Sequence, residues 1–252
     1  MKDTTNAFDV EIQKINRTEY IHYLSLKSIG ADLITLIDKY IVSICESDHD
    51  TEIGTVKKEL KSFFSGKDIR TQQGAIAEFI VHLYLKESGF NQECLFLNLE
   101  EGSIKKGFDG YYTFSSFEWI MESKSGSINT KDISHKKKLK EAYNDLKDKI
   151  GGNTSNNPWK NAYNHAKIVG SSQNILNNIK SLSKMYIDKQ YPNMNDLNII
   201  PASTIFFEKT SKSIDFNCSE IQTTISDMQF KSINAICIDN KLMDKLLEIL
   251  TQ

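Results

Sequence analysis

Proline and glycine are scarce in this chain, with three prolines and twelve glycines among 252 residues. That scarcity excludes a collagen-like repeat and a proline-rich linker architecture. Net charge is also small, at −2 from 31 basic and 33 acidic residues. Because the chain has no strong overall positive field, a nucleic-acid partner would have to be bound by a local basic patch.

Cysteine is rare and its spacing is uninformative for metal or redox chemistry. The four cysteines, Cys45, Cys94, Cys218 and Cys237, are far apart, and no two of them form a C-x-x-C pair. A zinc site or a thioredoxin-like motif would use that spacing. Disulfide frameworks belong to short secreted chains, so we expect reduced and mostly buried thiols.

Long hydrophobic runs are missing as well. The longest apolar-leaning stretch, residues 31–45, is interrupted by Asp32, Asp38 and Lys39. A transmembrane helix needs about 20 mostly apolar residues. Residues 1–6 are polar and lack the apolar core of a signal peptide. We therefore expect no membrane association and a cytoplasmic protein.

Hydrophobic periodicity predicts helices followed by a mixture of strands and helices. The first seventy residues have a helical pattern, which is strongest in residues 32–46 and 55–64. Further helices are predicted at 71–88, 131–150, 159–169, 172–190 and 241–250, and strands at 94–99, 108–114, 117–124, 198–208 and 232–239.

This order of elements predicts an α/β fold with a central mixed sheet flanked by helices and a helical N-terminal part. The corresponding domain prediction is a helical region at 1–69 and a sheet-containing domain at 70–252. Ser115-Ser116 is expected to join two strands in a tight turn. Pro201, inside a strand pattern, suggests an edge strand or a bulge, because proline donates no backbone hydrogen bond.

Glu78 interrupts the apolar run of residues 75–85. Its helical neighbours are mostly small or apolar, which places the carboxylate against packed protein. A buried carboxylate needs a metal, a proton or a cationic partner. The alternative is a glutamate that faces solvent. His82, one helical turn later, would either support Glu78 or simply be packed.

Asp109 and Glu122 lie on neighbouring predicted strands. Glu122 and Lys124 project from the same face, because side chains alternate along a strand. Carboxylate oxygens are the ligands that Mg²⁺ and Mn²⁺ prefer, and an adjacent lysine offsets charge that develops on a phosphate. Taken separately, Asp109 could be a turn residue, and Glu122 with Lys124 an ordinary pair on an exposed strand.

In this order the residues Glu78, Asp109 and Glu122-Ser123-Lys124 resemble the motif of the PD-(D/E)xK nuclease superfamily. The similarity covers residues 70–150, and Phe108 stands where the family has proline. The resemblance implies a metal-dependent deoxyribonuclease. Glu78, Asp109, Glu122 and Lys124 would be catalytic, and the three carboxylates would be ligands of Mg²⁺ or Mn²⁺.

A closer similarity is to the nuclease subunits of bacterial Hachiman antiphage defence systems. It rests on residues 74–126, the lysine-rich helix that follows, and the late strand sequence IPASTIFFE. This resemblance implies an antiphage effector that cleaves DNA under the control of a helicase (ATPase) partner. The alternatives are a stand-alone restriction-type endonuclease and a non-catalytic interaction module on a nuclease fold.

One dense basic patch follows the motif. Residues 131–149 hold seven lysines against four acidic residues. Lys136, Lys137, Lys138 and Lys140 are predicted to bind the phosphate backbone of a nucleic acid, where lysines act without regard to sequence. The alternative is a solvated helix face with local ion pairs such as Lys138–Glu141.

Overall fold

A computed structural model describes residues 7–46, 50–97, 107–208 and 216–252, and a seven-stranded mixed sheet forms its centre. The strand order across the sheet is β1-β2-β7-β6-β5-β4-β3. Strands β2, β7, β6 and β5 are parallel, whereas β1, β4 and β3 pair antiparallel with their neighbours. The strands are β1 (Asp9–Lys14), β2 (Glu19–Leu26), β3 (Asn91–Gln92), β4 (Gly110–Phe114), β5 (Phe117–Ser127), β6 (Asn198–Phe206) and β7 (Ser232–Asn240).

Helices cover both faces of the sheet, which confirms the predicted α/β fold. One layer contains α1 (Ala31–Cys45), α2 (Ile53–Phe64), α3 (Ile69–Glu87) and α8 (Met243–Thr251). The other contains α4 (His135–Ile150), α5 (Pro158–Ile168), α6 (Gln173–Ile187) and α7 (Cys218–Ser226). A 3-10 helix, Met194–Asp196, precedes β6. Within the described ranges, every helix is too short or too polar to cross a bilayer.

The central strands are buried on both faces, which explains their nearly continuous apolar sequences. All nine residues of β6 are buried. In β7, Ala235 and Cys237 pack under the α4 layer, whereas Ile236 and Ile238 pack under the α3 layer. The two-residue alternation along each strand therefore divides the hydrophobic residues between two cores, one on each side of the sheet.

The prediction of a helical N-terminal region is wrong for residues 9–26 and confirmed for the later helices α1 and α2. β1 and β2 form an antiparallel hairpin, and β2 pairs in parallel with β7. The backbone N–H of Thr18 donates to Asn16 Oδ1 at 2.8 Å in the connecting turn. Residues 19–26 are rich in aromatic and branched side chains, which suit a pleated surface. Because β2 pairs with β7, the sheet extends across the predicted domain boundary at residue 69.

The β4–β5 hairpin forms as predicted. Its connection, Ser115-Ser116, has positive φ at both residues (49° and 66°), as a two-residue type I′ turn requires. The strand predicted at 94–99 is wrong for residues 94–97, and residues 98 and 99 lie outside the described ranges. There the backbone N–H of Phe96 donates to Ile44 O at 2.9 Å, so it bonds to α1 instead of a neighbouring strand.

Pro201 lies in the interior of the sheet, so the prediction of an edge strand is wrong. β6 is flanked by β5 and β7, and its pairing with β5 is continuous through Pro201. Its pairing with β7 is interrupted at Ile200 and Pro201. The missing proline N–H is thus accommodated by a local gap in one ladder. The predicted helices and strands from residue 131 onward are present, and α7 is an additional helix.

Candidate active site

Glu78 lies in the buried middle of α3, as its apolar neighbours predict. Only 6% of the residue is exposed. His82 Nε2 lies 3.4 Å from Glu78 Oε1, and His82 Nδ1 contacts the hydroxyl of Tyr112 on β4. Burial raises the pKa of Tyr112 well above its usual value, so the phenol stays protonated and can donate. His82 is therefore both packed and in contact with the predicted site.

Asp109 directly precedes β4, and its position is fixed from the neighbouring strand. The backbone N–H of Ser123 donates to Asp109 Oδ2 at 2.8 Å. The glycine at 107 is required by close packing, because a Cβ there would lie 2.5 Å from the carbonyl oxygen of Pro158. The first turn of α5 therefore presses on the segment that carries Asp109.

Glu122 and Lys124 project from β5 toward α4. Glu122 is 1% exposed, and Lys124 Nζ donates to Glu122 Oε1 at 2.9 Å. The face that carries them is covered by helices, so the alternative of an exposed strand face is excluded for Glu122. A buried carboxylate that keeps a cationic partner is the arrangement expected on energetic grounds.

Two residues of α4 complete the cluster and were not predicted. Lys149 Nζ donates to Glu122 Oε2 at 2.6 Å and lies 3.5 Å from Asp145 Oδ2. Asp145 also contacts Lys124 Nζ. Asp145 and Lys149 are one helical turn apart and border the apolar stripe of α4. The sequence signal that could have identified both residues is their spacing of one turn on a helix that directly follows the β4–β5 hairpin.

The carboxylates are close enough to perturb one another. Burial raises the pKa of Asp109, and the charge of Glu78 raises it further. Burial also raises the pKa of Glu122 well above its usual value, and Asp109 adds to the shift. Lys149 and Lys124 oppose both shifts. The structure thus brings the four predicted residues Glu78, Asp109, Glu122 and Lys124 into one electrostatically coupled group.

Lys124 and the fourth carboxylate, Asp145, are instead shifted toward their charged forms. Burial lowers the pKa of Lys124, but Glu122 and Asp109 outweigh it and raise the pKa above its usual value. Burial opposes ionisation of Asp145, yet hydrogen bonds with Glu122 and Lys124 and the charge of Lys149 lower its pKa to about 2. Lys124 is therefore an ammonium donor at neutral pH.

The chemistry of this donor set fits a hard divalent cation. The partly buried Asp109 and the buried Glu122 offer carboxylate oxygens that repel one another, and a cation between them would relieve that repulsion. Within the described residues, no three His, Cys, Asp or Glu side chains are grouped to ligate one metal. Mg²⁺ commonly uses only one or two protein carboxylates, together with water and substrate phosphate.

The predicted nucleic-acid-binding lysines lie apart from the carboxylates. Lys137 and Lys140 are exposed, Lys138 pairs with Glu141 at 2.5 Å, and Lys136 lies 3.7 Å from Glu220 of α7. The Lys138–Glu141 pair was the predicted alternative to a phosphate contact. At 1.5 Å per residue, this patch lies about 15 Å along α4 from Lys149.

A second polar cluster anchors the N-terminus of α4. His135 lies 2.8 Å from Ser203 Oγ through Nδ1 and 2.9 Å from Asp239 Oδ1 through Nε2. The Tyr23 hydroxyl donates to Asp239 Oδ2 at 2.9 Å. Ser203 is completely buried, so no substrate reaches its hydroxyl. The cluster ties α4 to β6 and β7.

The two polar clusters fix α4 at both ends. The N-terminal cluster binds the first helical residue, and the Glu122 cluster binds the last turn. α4 is therefore held in a defined position over β5, with Lys149 directed at Glu122. Neither any family model nor any curated protein matches this chain.

Proposed function

We propose that this protein is a metal-dependent nuclease that hydrolyses DNA phosphodiester bonds. The observation that carries the proposal is the buried Glu122 carboxylate, which is coupled to Asp109 and bonded to the Lys124 ammonium group, with Asp109 coupled in turn to Glu78. Buried carboxylates with strongly shifted pKa values beside a lysine are typical of catalytic sites. The order of these residues along the chain is that of PD-(D/E)xK nucleases.

Each residue has a role that follows from its surroundings. Asp109 and Glu122 would hold Mg²⁺ or Mn²⁺, which would act as a Lewis acid toward the scissile phosphate. Lys124 stays protonated, so it acts as a hydrogen-bond donor that orients the attacking water and offsets charge on the phosphate. Glu78, bonded to His82, contributes negative charge behind Asp109.

We further propose that the protein acts in the cytoplasm as an antiphage effector, with a helicase partner that supplies much of the DNA affinity. Cys218 and Cys237 are not joined in a disulfide, which suits a reducing compartment. The net charge is only −2, and two of the four predicted DNA-binding lysines are engaged with acidic residues. Weak intrinsic affinity for DNA is the expected result.

The test is cleavage of supercoiled and linear DNA with Mg²⁺ or Mn²⁺, with and without a candidate helicase and ATP. We expect Lys124→Met to lose at least about 100-fold in rate, as removal of one transition-state donor commonly does, and Asp109→Asn to lose a similar factor because it removes a metal ligand. Lys147→Met is the matched control, because Lys147 is exposed on the same helix. A wild-type protein that cuts nothing in any arm would be an interaction module, and the proposal would be wrong.

A further inference from the structure

A cavity of about 210 Å³ lies at the N-terminal ends of β5 and β6. Its wall combines aromatic with polar side chains, among them Tyr111, Phe117, Glu118, Trp159, Asn178 and Lys231. Glu118 and Glu122 project from the same face of β5, because side chains alternate along a strand, and their spacing of four residues corresponds to about 13 Å. The cavity therefore lies beside the candidate active site, on the same face of the sheet.

The Glu118 carboxylate has one oxygen that receives two donors and one that receives none among the described residues. The Tyr111 hydroxyl contacts Oε2, and Asn178 Nδ2 donates to the same oxygen at 2.7 Å. Burial raises the pKa of Tyr111 well above its usual value, and the charge of Glu118 adds to the shift, so the phenol stays a donor. These two bonds fix the orientation of Glu118 and leave Oε1 as an unused acceptor in the wall of the cavity.

Trp159, in the first turn of α5, carries a polar group that the fold leaves unpaired. The residue is completely buried, and its ring packs edge-to-face against Phe108 and Tyr111. Within the described part of the chain, no acceptor bonds to its indole Nε1. A buried donor without an acceptor is costly in free energy, so a ligand that brings an acceptor against this wall would bind more tightly.

The opening of the cavity has an exposed aromatic ring and a cation. Phe117 is 53% exposed, and Lys231 Nζ lies 5.7 Å from the centre of its ring. Nucleobases stack on exposed aromatic rings, and lysine ammonium groups bind phosphate without regard to sequence. A ligand that fits this surface has a flat face, a donor, an acceptor and a negative charge.

We infer that this cavity binds an unpaired nucleobase with an exocyclic amino group, with cytosine as the simplest case. The amino group donates to Glu118 Oε1, as glutamate accepts from cytosine N4 in DNA recognition. The base stacks on Phe117, and its ring acceptors lie toward the Trp159 wall. Thymine fits less well, because its ring N–H lies between two carbonyl oxygens that the carboxylate repels. The assignment of this base to a substrate strand rests on the proposed function, whereas base binding itself does not.

The test is fluorescence anisotropy of labelled oligo(dC) and oligo(dT) of equal length, at low ionic strength and in EDTA to prevent metal-dependent cleavage. We expect the wild type to bind oligo(dC) about tenfold more tightly, the order of discrimination that one good base contact provides. Glu118→Gln should abolish this preference, because the amide oxygen stays with Tyr111 and Asn178 and the NH₂ group takes the position of Oε1. Glu59→Gln, at an exposed glutamate of α2, is the matched control and should retain the preference.

Two further arms test the stacking surface and the source of the base. Phe117→Ala should weaken the binding of both oligonucleotides about tenfold and leave the preference unchanged, because stacking tolerates any base. Competition with cytidine monophosphate distinguishes a free nucleotide from a DNA strand. Displacement of oligo(dC) at a similar concentration would assign the cavity to the free nucleotide, and displacement by unlabelled oligo(dC) alone would assign it to the strand.

The outcomes separate the inference from the proposed function. Equal or absent binding of oligo(dC) and oligo(dT) by the wild type would overturn the inference, as would an unchanged preference in Glu118→Gln that circular dichroism shows to be folded. If the wild type prefers oligo(dC) but cuts no DNA with Mg²⁺ or Mn²⁺, base binding stands and the nuclease proposal fails. If it cuts DNA and shows no preference, the nuclease proposal stands and the role of the cavity fails.

Discussion

His22 provides a prediction about pH and stability whose size follows from the structure. It is buried on β2, its Nδ1 lies 2.7 Å from the Tyr84 hydroxyl, and its Nε2 lies 3.3 Å from Asn234 Oδ1. Burial lowers the pKa of His22 from 6.5 to about 4, and the hydrogen bond with Asn234 opposes this shift only partly. The folded protein therefore keeps His22 neutral at pH values where the unfolded chain protonates it.

Because the folded pKa is the lower one, His22 costs no stability above pH 6.5, and stability falls as the pH drops from 6.5 to about 4. Linkage gives a loss of about 2 kcal/mol between pH 7.5 and pH 5, and about 3 kcal/mol once the pH is below 4. Urea unfolding followed by tryptophan fluorescence at several pH values would measure it. In His22→Gln, the loss of unfolding free energy between pH 7.5 and pH 5 should be smaller by about 2 kcal/mol. If the unfolding free energies of the two proteins fell equally with decreasing pH, the reasoning would be refuted.

Two further predictions concern packing and DNA affinity. Gly107→Ala would place a Cβ 2.5 Å from the carbonyl oxygen of Pro158, which is backbone and cannot turn away, so we expect destabilisation of about 1–3 kcal/mol in urea unfolding. Gly54→Ala is the matched control, because its Cβ would meet nothing within 4 Å, and it should not destabilise. The double substitution Lys137→Ala with Lys140→Ala should weaken DNA binding uniformly across sequences and reduce the salt dependence by about 2 charges. An unchanged salt slope in a fluorescence anisotropy titration would show that these lysines do not contact phosphate.

The parts of the fold that are predictable from the sequence are those set by local interactions. α4 has clear helical periodicity, α3 is a long and nearly continuous apolar run, and the β4–β5 hairpin has short strands joined by a tight turn. The apolar surroundings of Glu78 indicated its burial, because a helix that is apolar on nearly all sides has no exposed face for a carboxylate. These three features are enough to place the predicted carboxylates and Lys124 near one another.

The unpredicted parts depend on tertiary packing. β2 has aromatic and branched residues that suit a strand, but the parallel partner that fixes it in the sheet, β7, lies more than 200 residues later in the chain. Lys149 shares its helix with other lysines, and the placement of α4 over β5 is what brings it to Glu122. Pro201 suggested an edge strand or a bulge, because the local interruption of the ladder with β7 has no sequence signal. Tertiary packing, which the local sequence does not reveal, therefore explains each of these errors and omissions.

The central claim is that the cluster around Glu122 hydrolyses phosphodiester bonds. The most direct test is the single-turnover rate of DNA cleavage at saturating Mg²⁺ by the wild type and by Glu122→Gln, with the same candidate helicase added to both. Glutamine keeps the size of the side chain and removes its charge, so the fold is expected to persist. The account predicts a loss of at least about 100-fold in rate. Equal rates for the two proteins would contradict it.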